Sequence, residues 1–493
     1  MIEIKNVNFR YKGTDEGGLH DLSLTINDGE TVLLCGSSGC GKTTIGRLIN
    51  GLIPHYYKGE LTGSVTVNGR DIAKTELYDL AGVVGTVFQN PRSQFFAIDT
   101  DGEITFGAEN IGMPPEAIIS RKNDTANEMH IERLLDRSIF ELSGGEKQII
   151  ACASVSVLSP DIMVLDEPSS NLDSSAIMKL KAILADWKSH GKTIIIAEHR
   201  LYFLRELADR MLLLDNGRIT KELCADEIKA LTFADTEQMG IRPLSLTDIG
   251  YSHESKSTQN ERLTLENFVF TYKDGKHGIN IPELELPTRS IIAIIGHNGA
   301  GKSTLARNIC GLEKKCKGVM KLGDKTLKAK DRLRSCYMIM QDVNHQLFTE
   351  SVRDEVMLSI TDKQMTDTDK LQKSTEILTQ LDLSAYSDTH PMALSGGQKQ
   401  RTAIASGIAS SKPIIIFDEP TSGLDLAHMK QVAGEILKLR DMGKTIFIVT
   451  HDMEFILSCC DHIVRLEEGR VVGNTTLNQD NAASLRQFFV SEI

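Results

Sequence analysis

No apolar run in the 493-residue chain approaches the roughly 18 residues that a helix needs to cross a bilayer. The longest, such as "IIAII" (291 to 295) and "MLLL" (211 to 214), stop far short, so the sequence predicts no membrane span of its own. The N-terminus, "MIEIKNVNFRYKG", has no basic start followed by an apolar block, and no secretory signal is expected. C-x-x-C pairs are missing as well. The nine cysteines, Cys35, Cys40, Cys152, Cys224, Cys310, Cys316, Cys336, Cys459 and Cys460, are odd in number, which argues against a disulfide framework or a zinc site. They are expected to be reduced thiols, most of them small core residues. Positive charge is in short supply: 55 Lys and Arg stand against 67 Asp and Glu, for a net charge of −12. Neutralising many phosphates takes clustered Lys and Arg, so wholesale nucleic-acid binding is disfavoured. What is present, 41% apolar and 25% charged residues, is the profile of a folded globular chain long enough for at least two domains.

Internal repetition is the strongest organising signal. "NVNFRY" (6 to 11) answers to "NFVFTY" (267 to 272), "GSSGCGKTT" (36 to 44) to "GHNGAGKST" (296 to 304), "LSGGEKQ" (142 to 148) to "LSGGQKQ" (394 to 400), and "VLDEPSSNLD" (164 to 173) to "IFDEPTSGLD" (416 to 425). "KTIIIAEH" and "KTIFIVTH" close the two series. The offset is 260 at Lys42 and Lys302 but 252 from Gln89 and Gln341 onward, so one deletion of eight residues explains the drift. A unit of this length is a duplicated domain: 1–235 and 263–493, with 236–262 as linker. The polar run "YSHESKSTQNER" (251 to 262) is the expected exposed junction, and the segment from about 225 to 250 is expected to pack on the first half. Within each unit a short apolar strand feeds a glycine loop and then a helix with one apolar face, Ile45, Leu48, Ile49 and Leu52 in the first and Leu305, Ile309 and Leu312 in the second. Further apolar strands, "IMVLD", "TIIIAE", "IIIFD" and "TIFIV", alternate with helical stretches and imply an α/β core with a mainly parallel sheet.

The glycine loops match G-x-x-x-x-G-K-[ST] at Gly36, Gly41, Lys42 and Thr43, and again at Gly296, Gly301, Lys302 and Ser303. Glycines let the backbone curl so that successive N–H groups face phosphate oxygens, and the helix start adds positive potential. The lysine then reaches the terminal phosphates, and the Thr43 or Ser303 hydroxyl is a ligand for Mg²⁺. Asp166 and Asp418, each at a strand end, are the acids for the metal's water shell, and Glu167 and Glu419 are candidate general bases for a water attacking the γ-phosphate. "LSGGEKQ" carries no catalytic side chain; Ser143 with Glu146 and Ser395 with Gln398 fit a capping box at a helix start. Cys40, two residues before Lys42 and close to a helix start, is expected to have a lowered thiol pKa.

Taken together, these motifs resemble the ATP-binding cassette (ABC) ATPases across practically the whole chain. The resemblance implies an α/β fold of two tandem P-loop nucleotide-binding domains, each with a mainly parallel sheet core, an antiparallel β part and a helical signature subdomain. It implies ATP and Mg²⁺ as ligands and intramolecular pairing of the two halves. Lys42 would share its ATP with Ser395, Gly396 and Gly397, and Lys302 with Ser143, Gly144 and Gly145. Ser38, Gly39 and Thr44, with Asn298, Gly299 and Thr304, complete the expected phosphate loops. By position Tyr11 and Tyr272 match the aromatic that stacks on adenine, Gln89 and Gln341 the glutamine near Mg²⁺, and Asp173 and Asp425 the acid that couples the two sites. His199 and His451, each 32 residues past its glutamate, match the switch histidine.

"VFQNPRSQFF" with "FGAENIGMP", and "IMQDVNHQLFTESVRDEV", are similar to the ATPase subunits of energy-coupling factor (ECF) vitamin and cobalt or nickel importers, with Gln94 and Gln346 as the matching second glutamines. That likeness implies an integral membrane T component, a substrate-binding S component, and a peripheral position on the cytoplasmic face of the cell membrane. Three departures stand out: Asp342-Val343 in place of Asn-Pro, Ile149 where Arg401 stands in the second half, and "AEHR" where the second half has "THD". These put equal turnover at the two sites in doubt. Tandem ATPases of monosaccharide importers and soluble tandem ABC translation factors are the competing readings. The first commonly carry one weakened site, whereas Glu167 and Glu419 are both present here; the second usually have a long charged arm and basic surfaces.

Overall fold

The computed structural model describes residues 1–13, 17–170, 172–251, 261–273, 275, 278–362 and 364–490. Most of the expected junction, 252–260, lies outside the described residues. The chain forms two compact units, one built on Met1–Ile249 and the other on Gly250–Ser422 with His428–Gln487.

In the first unit, a six-stranded sheet runs in the order Arg218–Cys224, Arg210–Asp215, Thr31–Gly36, Thr193–Ala197, Ile162–Asp166, Val84–Val87. All neighbours in it are parallel except the edge strand Arg218–Cys224. Successive residues of a strand face opposite sides, and both sides are covered here: Leu33, Cys35, Ile194 and Ile196 belong to one buried cluster, while Val32, Leu34 and Ile195 belong to the other. A strand buried on both faces reads as an unbroken apolar run, which is why "TVLLC" and "TIIIA" show no alternation. Separately, Leu19–Ile26, Ile2–Tyr11, Gly59–Val67 and Arg70–Asp71 make an antiparallel sheet. Helices Thr100–Asn110, Pro115–Glu128 and Gly144–Ser156 make the helical part. The chain after Cys224 continues in this core, with Ile228, Ile241 and Leu244 buried among its residues.

The second unit repeats the plan. Its six-stranded sheet runs Cys336–Ile339, Ile414–Asp418, Thr445–Val449, Ile291–Ile295, His462–Glu467, Arg470–Thr476, again parallel but for the last pair. An antiparallel sheet of Gly278–Pro287, Arg262–Thr271, Lys317–Leu322 and Lys325–Leu327 accompanies it. Helices Val352–Leu358, Asp367–Gln380 and Gly396–Ala409 form the helical part. In both units the catalytic candidates sit at the C-terminal ends of parallel strands, where α/β sheets place their ligands.

Candidate nucleotide sites

Each glycine loop is built by backbone that only glycine adopts readily. Gly36, Gly39 and Gly41 have φ of 138°, 78° and 108°, and Gly296, Gly299 and Gly301 have 144°, 83° and 98°. Space forbids a side chain at the first of these: a Cβ on Gly36 would lie 2.2 Å from the Leu214 carbonyl oxygen and 2.8 Å from Cys40 Sγ. The helices that follow, Lys42–Ile49 and Lys302–Cys310, start on Gly41 and Gly301 with no side-chain cap and no acid in the first turn. Their first N–H groups are left for an anion. Lys42 Nζ donates to Gly36 O at 3.0 Å and Ser37 O at 2.9 Å; Lys302 Nζ donates to Gly296 O at 2.8 Å and His297 O at 2.9 Å. Each lysine is therefore folded over its own loop, ammonium at the place where the loop would receive phosphate.

The acids converge on the same loops. Thr43 Oγ1 donates to Asp166 Oδ1 at 3.0 Å, and Ser303 Oγ donates to Asp418 Oδ1 at 3.1 Å. Burial, with the neighbouring Glu167 charge second, raises Asp166 to about 6 against the pull of Thr43, Arg47 and Lys42. Burial also raises Asp418, opposed by Ser303, Lys302 and Arg307. Among the described residues no cluster of three His, Cys, Asp or Glu side chains is placed to hold a metal ion. A hydroxyl beside one carboxylate instead suits a hard divalent cation that takes its remaining oxygens from phosphate and water.

Glu167 and Glu419 leave their strands in the left-handed region, at φ 44° and 49°. Gln89 Nε2 donates to Glu167 Oε2 at 2.6 Å, and His199 Nε2 lies 3.3 Å from Glu167 Oε1 without the alignment of a hydrogen bond. In the second unit His451 Nε2 lies 3.6 Å from Glu419 Oε1. Gln341 is exposed just past the strand Cys336–Ile339. Tyr11 and Tyr272 set their hydroxyls 3.1 Å from Thr44 Oγ1 and 3.3 Å from Thr304 Oγ1. Ser38 and Asn298 belong to exposed stretches of the loops. Asp173 caps the helix Ser174–Ser189 by accepting from Ala176 N at 2.8 Å, and Asp425 is buried. The capping boxes are formed: Ser143 N donates to Glu146 Oε2 at 2.9 Å, and Ser395 N to Gln398 Oε1 at 2.9 Å. They leave Ser143, Gly144, Ser395 and Gly396 exposed, with Gly145 buried and Gly397 half-buried.

One expectation is overturned. Burial raises the Cys40 thiol, and Lys42, whose Nζ lies 3.9 Å from Sγ, lowers it by less. Proximity to a cation was legible in sequence; the packing of Cys40 among Leu19 and its core neighbours was not.

The three departures between halves have local explanations. Asp342 replaces Asn90 without loss of its job: Asn90 Oδ1 accepts from Arg92 N at 3.0 Å, and Asp342 Oδ1 from Asn344 N at 3.0 Å. Ile149 is buried in the first unit's core, so an apolar side chain suits it. In "AEHR" the acid has changed sides of the histidine. Glu198 Oε2 accepts from Ser169 N at 3.1 Å, and its Oε1 from His199 N at 2.7 Å; in the second half Asp452 Oδ2 accepts from the Thr421 hydroxyl at 3.0 Å. Each half thus ties the segment after Glu167 or Glu419 to a carboxylate next to His199 or His451. Sequence reasoning missed Glu198, and it missed two further buried acids. Glu103 Oε2 accepts from Phe96 N and Ala97 N at 2.8 and 2.9 Å, and Glu355 Oε2 from Phe348 N and Thr349 N at 2.9 and 3.0 Å. The available signal was their shared place seven residues after a phenylalanine in both halves.

The family model described as ABC transporter matches residues 19–170 and 279–422. A Treponema denticola protein named "Putative ABC transporter ATP-binding protein" is 45% identical over 96% of this chain and 96% of its own length. A second protein of that name from the same organism is 38% identical over 97% of each. Among solved structures, an archaeal ribosome recycling factor in complex with a ribosomal stalk protein superposes with a TM-score of 0.64 at 22% identity, covering 96% of this chain and 90% of that one, a likeness of fold. Two glycine loops with their paired acids, a family match in each half and relatives alike over nearly the full length lead to one statement: the chain belongs to the ABC transporter family, as a tandem ATP-binding protein and ATPase.

Proposed function

We propose that the chain is the ATP-hydrolysing subunit of an ECF-type importer, coupling ATP binding and hydrolysis to uptake of a vitamin or transition-metal ion through a membrane T component and a substrate-binding S component. The observation that carries this reading is an exposed aromatic surface beside the Gln89 loop. Phe96, Ile98 and Phe140 are 73%, 71% and 80% exposed, and Phe96 stacks on Phe106 with ring centroids 4.9 Å apart. A solvated protein seldom keeps so many large apolar side chains together without a partner to cover them. The second half carries Phe348, 75% exposed, at the matching place. Behind each surface the second glutamine braces the loop, Gln94 Oε1 accepting from Phe88 N at 3.2 Å and Gln346 Oε1 from Met340 N at 2.8 Å. A shift of the docked partner would thereby be felt at Gln89, one bond from Glu167. Among the described residues no helix is long and apolar enough to cross a membrane; in the proposed assembly the T and S components would supply the translocation path.

At each site Lys42 or Lys302 would hold the terminal phosphates, and Thr43 with Asp166, or Ser303 with Asp418, would hold Mg²⁺, which supplies charge neutralisation when bound. Glu167, oriented by Gln89 and His199, would take the proton from the attacking water, as would Glu419 beside His451. Each ATP is proposed to be completed by the signature serine and glycines of the other half. The test is to purify the tagged chain from detergent-solubilised membranes of its own cells and identify what accompanies it. An integral membrane partner with a small substrate-binding membrane protein is expected. Co-sedimentation with ribosomes and no membrane companion would favour the translation-factor reading instead.

A further inference from the structure

The two halves hold their leading tyrosines differently. Tyr11 ends the strand Ile2–Tyr11, edge-on to Phe9 at 4.7 Å, and its hydroxyl accepts from Arg47 Nη1 at 2.9 Å. Thr44 Oγ1 donates to Gly17 O at 2.6 Å, so its one proton is committed and the Tyr11 hydroxyl, 3.1 Å away, donates to it. The bonds run one way, from Arg47 to Tyr11 to Thr44 to Gly17. The Arg47 guanidinium also lies over the Tyr57 ring, 4.0 Å from its centroid, and Tyr57 meets Tyr11 edge-on at 6.2 Å. A cavity of about 670 Å³ opens beside Tyr11, lined by Arg10, Lys12, Lys58 and Glu60 among others.

In the second unit Tyr272 is edge-on to Phe270 at 4.8 Å, and its hydroxyl lies 3.3 Å from Thr304 Oγ1. Arg307, at the place of Arg47, instead faces Glu313, with Nε 3.6 Å from Oε1. A counterpart of Tyr57 is missing because the chain is shorter there. Gly51 and Gly311 end matching turns at φ 77° and 80°, and Gly63 and Gly318 both press on the first strand of their sheet, where a Cβ would meet Asn6 O at 2.5 Å and Asn267 O at 2.2 Å. The first half places Leu52–His55, Tyr56 and Tyr57 between these landmarks, and most of the second half's deletion falls here.

We infer that Arg47, braced by Tyr57, is a positioning residue that pre-aligns the Tyr11 ring for a nucleobase, so that the first nucleotide site fills at a lower ATP concentration than the second. The inference rests on reading Tyr11 and Tyr272 as base-stacking residues. A ring already fixed gives up little freedom when a base stacks on it, and a looser ring gives up more. Photolabelling with 8-azido-ATP, the label assigned to either half after proteolysis, tests it. Half-saturation of the first half is expected at about fivefold lower probe than the second, the size of effect one clamped ring supplies. Arg47→Leu and Tyr11→Phe should each remove that advantage, and the double variant should be no worse than either, while labelling of the second half stays put. Arg47→Lys, which keeps the charge near Asp166, should restore only part of it. An unchanged first half in Arg47→Leu overturns the inference; should that variant unfold, Tyr11→Phe decides alone. If Tyr11→Ala leaves labelling intact, the base-stacking reading itself is wrong. If Tyr11→Ala weakens labelling but Arg47→Leu and Tyr11→Phe do not, only the clamp fails.

Discussion

At the scale of single residues, chemistry and position were legible in sequence while burial was not. Lys42, Thr43, Asp166 and Glu167 were readable because a phosphate loop and a strand-end acid pair need those residue types at those spacings, whereas His199 was readable only through the family resemblance; the structure sets Thr43 on Asp166 and His199 beside Glu167. Cys40 was misread because a thiol's pKa depends on what surrounds it, which spacing does not reveal. Asp166 carries a testable consequence of the same kind. Its folded-state pKa, about 6, is raised above the ordinary carboxylate value, so its contribution to stability is present below about pH 4 and lost as pH rises through 6. Asp166→Asn should therefore gain on the wild type by up to about 3 kcal/mol across that window in the absence of nucleotide. Urea midpoints of the two proteins at pH 4 and pH 7 would show it; a constant difference between them would refute the assignment. Glu167→Gln and Glu419→Gln should each lower ATP hydrolysis, with about 10²–10⁴-fold lost at the altered site, while sparing ATP binding, because only the proton acceptor is removed. Full turnover in the double variant would count against both roles.

At the scale of elements, strands and helices flanking the loops followed from apolar runs and periodicity, except that the helices Lys42–Ile49 and Lys302–Cys310 end before Leu52 and Leu312, and Leu312 is exposed rather than on the buried face. The capping boxes followed from Ser-x-x-Glu and Ser-x-x-Gln. The loops after Gln89 and Gln341 were legible only as motifs. What shapes them is a carboxylate on the following helix, Glu103 or Glu355, buried and accepting backbone N–H groups several residues earlier. Such a contact is local in space but leaves no periodic trace. Glu103→Ala would leave two N–H groups without their acceptor, at a cost of about 1–3 kcal/mol for each that stays buried. A lower melting temperature with faster tryptic cutting after Arg92 is the expected result, and unchanged cutting would mean that the loop is held by other contacts.

At the scale of the whole molecule, duplication could be read directly, and so could the deletion that separates the halves; its effect on Tyr57 and Arg47 could not, because it depends on which ring a guanidinium finds. If each ATP is completed by the opposite half, as proposed, Ser143→Arg should reduce nucleotide trapping at the site of Lys302 more than at that of Lys42. Equal loss at the two, read by the same half-resolved labelling, would argue for self-contained sites. The uncovered phenylalanines have a consequence outside the catalytic cycle. A chain synthesised in excess of whatever covers Phe96 and Phe140 presents an adhesive face to its own kind. Overproduced alone, it should cluster as concentration rises, and Phe96→Ser with Phe140→Ser should push the onset of light scattering to higher concentration; under the proposed function, balanced synthesis with the membrane components then becomes a condition of its solubility.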